Sequence, residues 1–366
     1  MPKQKKVTLK EIAERTGVSM GTVHRAIYGK SGIGEETRQR ILEEVARSNY
    51  QIDEAASVLK RSAKTIAVVL PKAQKEDRFY FRGIWRGIRE AAQGMEQYKL
   101  DFQCIESEFP LSQIWRELER VYDDKVEELD GLITIADSKE ADIWIERYAK
   151  RGIPVILLSS NYEKQRSSEG LIECIRVDHR RSGRLAAEFM SYGLGKYQGK
   201  VMVVGGNSEI FSVQIHGSSF EQEILKYHPE REVIRMKALE DEQAKESFLE
   251  ALRREKIAAI FACSARNTYL VCRLLEQENR GQDMLLVGTD VFEELIPYYE
   301  DGTLNATVCQ YHWEQGTSAV QRMYEHLSKG LKMQDDEMLP SSLILKNNYP
   351  CFMNKSREWM EEQGKA

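Results

Sequence analysis

From residue 65 to residue 309 the chain alternates short apolar runs with amphipathic stretches, and few architectures accept that pattern. Apolar runs at 66–70, 100–105, 131–136, 154–159, 200–205, 233–238, 258–262, 285–288 and 306–309 read as strands. Helical spacing fills most of the gaps, as at 84–92, 114–122, 143–148, 185–190 and 269–275. Strands that alternate with helices predict parallel sheets with helices packed on their faces. About nine strands are more than one tidy open sheet holds, so two lobes are expected rather than one.

The first fifty residues have a different texture, that of a small all-α unit. Ile12 and Ala13 share a face of a helix over about 9–15, and Gly17 suits the left-handed turn that ends it. Ser19 is placed to cap a second helix whose Val23, Ala26 and Ile27 fall at buried-stripe spacing. A third helix is expected from about Glu35 through Ile41, Leu42, Val45 and Ala46.

Charge divides the chain in the same way. Residues 1–62 carry twelve Lys and Arg against eight Asp and Glu, and the remainder carries 41 against 50. A basic head on an acidic body is expected when one module touches phosphate and the other does not. The domains read as 1–50, a helix-turn-helix unit; 51–62, a hinge; and 63–366, a ligand-binding and dimerisation body. Within the body the first lobe is expected over about 63–177 and 305–335, and the second over about 178–304 and 336–366.

Several function classes fall away. No apolar run has the length of a membrane span, and the basic start runs into a mixed stretch unlike a signal peptide, so a cytoplasmic protein with no membrane partner is expected. The six cysteines are scattered singly and the histidines form no ligand motif, which predicts no metal and no cofactor. Gly205 and Gly206 follow a strand but satisfy neither nucleotide-loop spacing, and no nucleophile, base and orienter are tied together. An enzyme is not expected.

The head carries a denser signal. Thr8 and Leu9, the pair Ile12 and Ala13, then Gly17, Val18 and Ser19, then Thr22, Val23 and Arg25 fill every position of the pattern that opens the LacI/GalR family of bacterial regulators. The chain resembles that family from here through Thr37, Arg38, Asn49 and Tyr50 and over nearly its whole length. The resemblance implies a transcription regulator, a repressor, that reads double-stranded operator DNA as a homodimer. The second helix of such a unit lies in the major groove. Met20, Gly21, His24, Arg25 and Tyr28 are the residues its core does not need, and Arg25 is the best base reader because a guanidinium bonds guanine bidentately. Thr8, Ser19 and Thr22 suit phosphate contacts. In the hinge, the resemblance implies a helix that inserts Leu59 into the minor groove with Ala56 one turn earlier, although Ile52, Asp53 and Glu54 depart from the family's usual Pro-Asn-Arg. Leu59 packing between domains is the alternative.

The body resembles the type I periplasmic sugar-binding fold that this family shares, in which a ligand sits between two lobes at the carboxyl ends of the strands. Positions matching the pocket pattern are Tyr80, Phe81, Asp137, Ser159, Gln214, Ser264, Asp290 and Gln310. The resemblance implies an effector stacked on Tyr80 and Phe81 and held by Asp137 and Asp290, with Asp290 the foremost polar anchor. Gln214 stands where an arginine is usual, three residues before Gly217, and Ser264 and Ala265 replace the usual Asn-Asp. A sugar, a polyol or a sugar phosphate all fit these residues. Solute receptors for transport use the same body but have no need of residues 1–62.

Overall fold

The computed structural model describes residues 7–27, 32–48, 62–136, 138–159, 170–206, 210–333 and 336–353. Three short helices open the chain: α1 (Leu9–Thr16), α2 (Met20–Ile27) and α3 (Glu35–Arg47). Thr8 caps α1 through a reciprocal box, its amide donating to Glu11 Oε2 at 2.7 Å and its hydroxyl accepting from the Glu11 amide at 3.3 Å. Gly17 ends α1 at φ +67°, and the Ser19 hydroxyl accepts from the Thr22 amide at 3.1 Å to start α2. Ile12, Ala13, Val23, Ala26 and Ile41 form the core of this unit, with Leu42 left exposed.

The body holds two six-stranded sheets. The first, in the order β11-β5-β4-β3-β1-β2, comprises β1 (Lys64–Pro71), β2 (Leu100–Ser107), β3 (Gly131–Ile135), β4 (Val155–Leu158), β5 (Ile172–Val177) and β11 (Glu337–Leu339), all parallel. Its faces are covered by α4 (Arg78–Ala92) and α12 (His312–Tyr324) on one side and by α5 (Ile114–Lys125) and α6 (Lys139–Lys150) on the other. The second, in the order β12-β10-β9-β8-β6-β7, comprises β6 (Lys200–Val204), β7 (Val233–Met236), β8 (Ile257–Ala262), β9 (Leu285–Thr289), β10 (Ala306–Cys309) and β12 (Ser342–Ile344). Only β12 runs antiparallel to its neighbour. Helices α7 (His179–Leu194) and α8 (Phe211–Tyr227) cover one face, and α9 (Glu242–Arg254), α10 (Ala265–Gln277) and α11 (Ile296–Glu300) the other, with α13 (Tyr349–Met353) at the end.

All nine strands anticipated from the sequence form. The lobe boundaries differ at two strands, one anticipated and one not: β10 pairs with β9 in the second sheet, whereas 305–335 was expected in the first lobe, and the unanticipated β11 pairs with β5 in the first sheet, whereas 336–366 was expected in the second. The cause is where the chain crosses. It passes between lobes after β5 into α7, after β10 into α12, and after β11 into β12. Two crossings are stitched together, the Ser182 and Ser341 hydroxyls lying 3.0 Å apart.

Close helix approach packs α7 against α8 within the second lobe. A Cβ on Gly183 of α7 would strike the His216 carbonyl of α8, so only glycine lets the two backbones meet there. Among the described residues no helix is long and apolar enough to cross a membrane.

Candidate functional site

The carboxyl ends of both sheets face one cleft of about 920 Å³. The first lobe contributes Tyr80 and Phe81 from α4, Leu111 and Ser112 before α5, Ile135 at the end of β3 and Ser159 after β4. The second contributes His179 at the start of α7, Val213 and His216 of α8, Lys237 after β7, Gln243 and Ser247 of α9, and Ser264 before α10. Gln310, in the β10 to α12 crossing, lies between them. Strand-to-helix junctions converge here because every parallel strand ends on the same side of its sheet.

Five of the anticipated pocket residues are therefore brought together: Tyr80, Phe81, Ser159, Ser264 and Gln310. Phe81 is mostly committed to the first lobe's core, with Tyr80 edge-on to it at 5.0 Å and to His312 at 4.3 Å. The Ser264 hydroxyl caps α10, accepting from the Asn267 amide at 3.2 Å. Gln214 is exposed and off the cleft wall. Asp137 lies outside the described residues.

Asp290 has a different setting from the anchor that the sequence suggested. It is 2% exposed, at φ +67°, and does not line the cleft. Its Oδ1 accepts from the Gln310 amide at 2.9 Å, its Oδ2 accepts from Gln310 Nε2 at 2.7 Å, and His312 Nε2 stands 3.2 Å from Oδ2. The carboxylate holds the crossing segment in position, and through it Gln310, which does line the cleft.

Two histidines that sequence reasoning passed over form the cleft's inner end. His216 is 1% exposed, and its Nδ1 lies 3.3 Å from the Cys263 carbonyl. A carbonyl only accepts, so Nδ1 carries the proton and Nε2 keeps a lone pair that has no hydrogen-bond partner. His179 Nε2 lies 3.5 Å from the Ser159 hydroxyl. Burial pushes His216 down to about 3 and His179 down to about 4, against a weaker upward pull from Asp290, so both rings are neutral. The available signals were local: His216 immediately precedes Gly217, and His179 opens the helix after a strand.

Those shifts carry a sign. The folded protein resists protonation while the unfolded chain takes up protons below about pH 6.5, so stability is full above that value and falls as pH drops toward 4. By pH 5 each histidine is expected to cost about 2 kcal/mol. Urea midpoints at pH 7 and pH 5 check this, and His216→Asn is expected to remove its share of the slope.

In the head, α2 turns Met20 (54% exposed), Gly21 and Arg25 outward while Val23 and Ala26 are buried. Thr22 and His24 are half-buried, and the Ser19 and Thr22 hydroxyls lie 2.9 Å apart. Thr8 is committed to its capping box. Tyr28, Ala56 and Leu59 lie outside the described residues. All six cysteines are free, and no group of His, Cys, Asp and Glu fit to hold a metal occurs among the described residues.

A short-helix head with an outward second helix, carried on a two-lobed α/β body with a shared cleft, defines a helix-turn-helix protein with a periplasmic-binding-protein-like module. Comparison with known proteins gives the family. Residues 66–332 match the periplasmic binding protein domain, the family to which the chain belongs over most of its length, and residues 8–53 match the bacterial regulatory proteins of the lacI family. It is similar to the HTH-type transcriptional regulator MalR of Streptococcus pneumoniae, 27% identical over 60% of this chain and 63% of that one. It is also similar to the ribose operon repressor of Bacillus subtilis, 29% identical over 43% of this chain and 44% of that one. These matches thus span about half to two thirds of the relatives' lengths. The body shares its fold with GanP, a glucose-galactose binding protein from Geobacillus stearothermophilus, at a TM-score of 0.66 and 21% identity, covering 79% of this chain and all of that one. The relatives are regulators and sugar-binding proteins, not enzymes.

Proposed function

We propose that this protein is a cytoplasmic transcription regulator, a repressor, whose grip on double-stranded operator DNA is set by a small sugar-like effector held between its lobes. The observation that carries the reading is the coexistence, in one chain, of an outward α2 and a cleft built jointly by two lobes. A solute receptor would use the cleft but not the head, and residues 8–53 match lacI-family regulators.

Arg25 is the base reader in this account, Met20 an apolar partner for a thymine methyl, and Ser19 and Thr22 phosphate contacts. Leu59 is the minor-groove wedge that bends the duplex. One head covers a half-site, so the working unit is a homodimer on a near-palindrome. Sedimentation velocity is expected to give a dimer, and a monomer both free and on DNA would refute that part.

Effector control follows from differential affinity: a ligand that binds one lobe arrangement better shifts the population toward it, and the heads sense the shift through the hinge. Arg25→Ala is expected to reduce discrimination between selected operator and random DNA by about 1–3 kcal/mol, the worth of a bidentate base contact. Undiminished operator affinity in that variant would displace α2 from the groove.

A further inference from the structure

We propose that the effector is an uncharged sugar of at least two rings, bound along the length of the cleft. This rests on the reading of the cleft as an effector site. Its support comes from the cleft's length, its state of closure and the chemistry of its two ends.

Length follows from sheet geometry. The cleft runs from Ser159, after β4, to Leu111 and Ser112, which follow the edge strand β2; those strands are three places apart in the first sheet. Across the second sheet it runs from Gln310, after β10, to Lys237, after the edge strand β7, four places away. At about 4.8 Å per strand these spans are roughly 14 and 19 Å. A single pyranose built from bonds of about 1.5 Å reaches on the order of 5–6 Å. The volume of about 920 Å³ sits near the top of the roughly 300–1,000 Å³ range of small-molecule sites.

That space is not a gap between separated lobes. Phe79 of the first lobe stacks on Phe292 of the second at 4.3 Å, Arg82 pairs with Glu294 at 3.1 Å, and Asp77 pairs with Arg266. The lobes are already drawn together, and the long cleft remains.

The two ends differ in chemistry. At the inner end, neutral His216 and His179 meet Ser159, Tyr80 and Gln310, a set that hydrogen-bonds hydroxyls and stacks on one ring. His216 Nε2, buried and without a partner, calls for a donor such as a sugar hydroxyl. At the outer end α9 turns Gln243 and Ser247, one helical turn apart, toward the cleft beside Lys237. Among the described residues the inner end has no lysine or arginine to meet a phosphate, and the cleft's cations lie toward the outer end. The rim arginines are committed, Arg235 to Glu221 at 2.5 Å and Arg266 to Asp77 and Glu240. The positive ends of α7 and α9 are already capped by the carboxylates of Asp178 and Asp241.

Calorimetric titration of the full chain tests this with glucose, galactose, fructose, maltose, maltotriose, sucrose, lactose, raffinose and glucose 6-phosphate. At least one di- or trisaccharide is expected to bind about tenfold or more tightly than every monosaccharide it contains. A Gln243→Ala, Ser247→Ala double variant is expected to cut that preference about tenfold, the worth of two ordinary hydrogen bonds. A monosaccharide that matches its oligomers, a phosphate ester that binds best, or a preference untouched in the double variant would overturn the proposal while leaving a sugar-responsive cleft intact. No binding by any sugar in the set would instead remove the cleft's reading as a sugar site, and this proposal with it.

Discussion

Phe79→Ala is expected to lower folding stability by about 3–5 kcal/mol, the usual cost of emptying a buried phenylalanine site. The residue belongs by sequence to the first turn of α4, in the first lobe, yet it is 3% exposed within the second lobe's core. Its ring stacks on Phe292 at 4.3 Å and meets Tyr269 at 4.8 Å, with the Arg78 guanidinium 4.2 Å above it. Removing the ring leaves a cavity at the junction of two separately cored lobes, so the loss should fall on their coupling as well as on total stability. Scanning calorimetry is expected to resolve one transition in the wild type and two in the variant. A loss under about 1 kcal/mol would mean that Phe79 does not pin the lobes together.

Asp290→Ala is expected to cost a comparable amount, about 3–5 kcal/mol, as for breaking a buried charged network by deleting one member. Three separate penalties combine. The Gln310 amide and its Nε2 both lose their acceptor, His312 loses a neighbouring carboxylate, and alanine must adopt φ +67°. Asp290→Asn keeps one acceptor oxygen and tolerates the left-handed backbone, so it is expected to recover a good part of the loss. Urea denaturation separates the outcomes. If Asp290→Ala is as stable as the wild type and loses only effector binding, the residue returns to the role of ligand anchor.

These two residues also mark where the sequence was and was not legible. Seven of the nine runs (β1, β3, β4, β6, β8, β9 and β10) are almost wholly buried, and a strand buried on both faces is continuously apolar, a pattern visible without a structure. The edge strands β2 and β7 are partly exposed and were legible from their position between helical stretches. β5 escaped notice because Glu173 and Arg176 interrupt it; Glu173 is buried but pairs with Arg322 of α12 at 3.4 Å, a partner 149 positions away in the chain. β11 and β12 are three residues each, too short to carry a period. At the cleft, residues at strand ends such as Ser159 and Gln310 could be found because the junction itself defines the site. Asp290 shares that location, but a strand-end position does not reveal which neighbour takes its oxygens. His179 and His216 were missed for the converse reason: an isolated histidine reads as a core or surface residue until two strand-to-helix junctions bring it beside another.

The central claim is that occupation of the cleft changes the grip of the head on DNA. Duplexes enriched from a random pool by binding to the full chain, labelled and titrated by fluorescence anisotropy at fixed salt, test it with and without a saturating sugar. The expected result is a sequence preference over random DNA together with a roughly 5–150-fold change in operator affinity on sugar binding, the range of ordinary allosteric coupling. Equal affinity for selected and random duplexes, or an operator affinity that stays the same while calorimetry finds the cleft filled, would contradict the account.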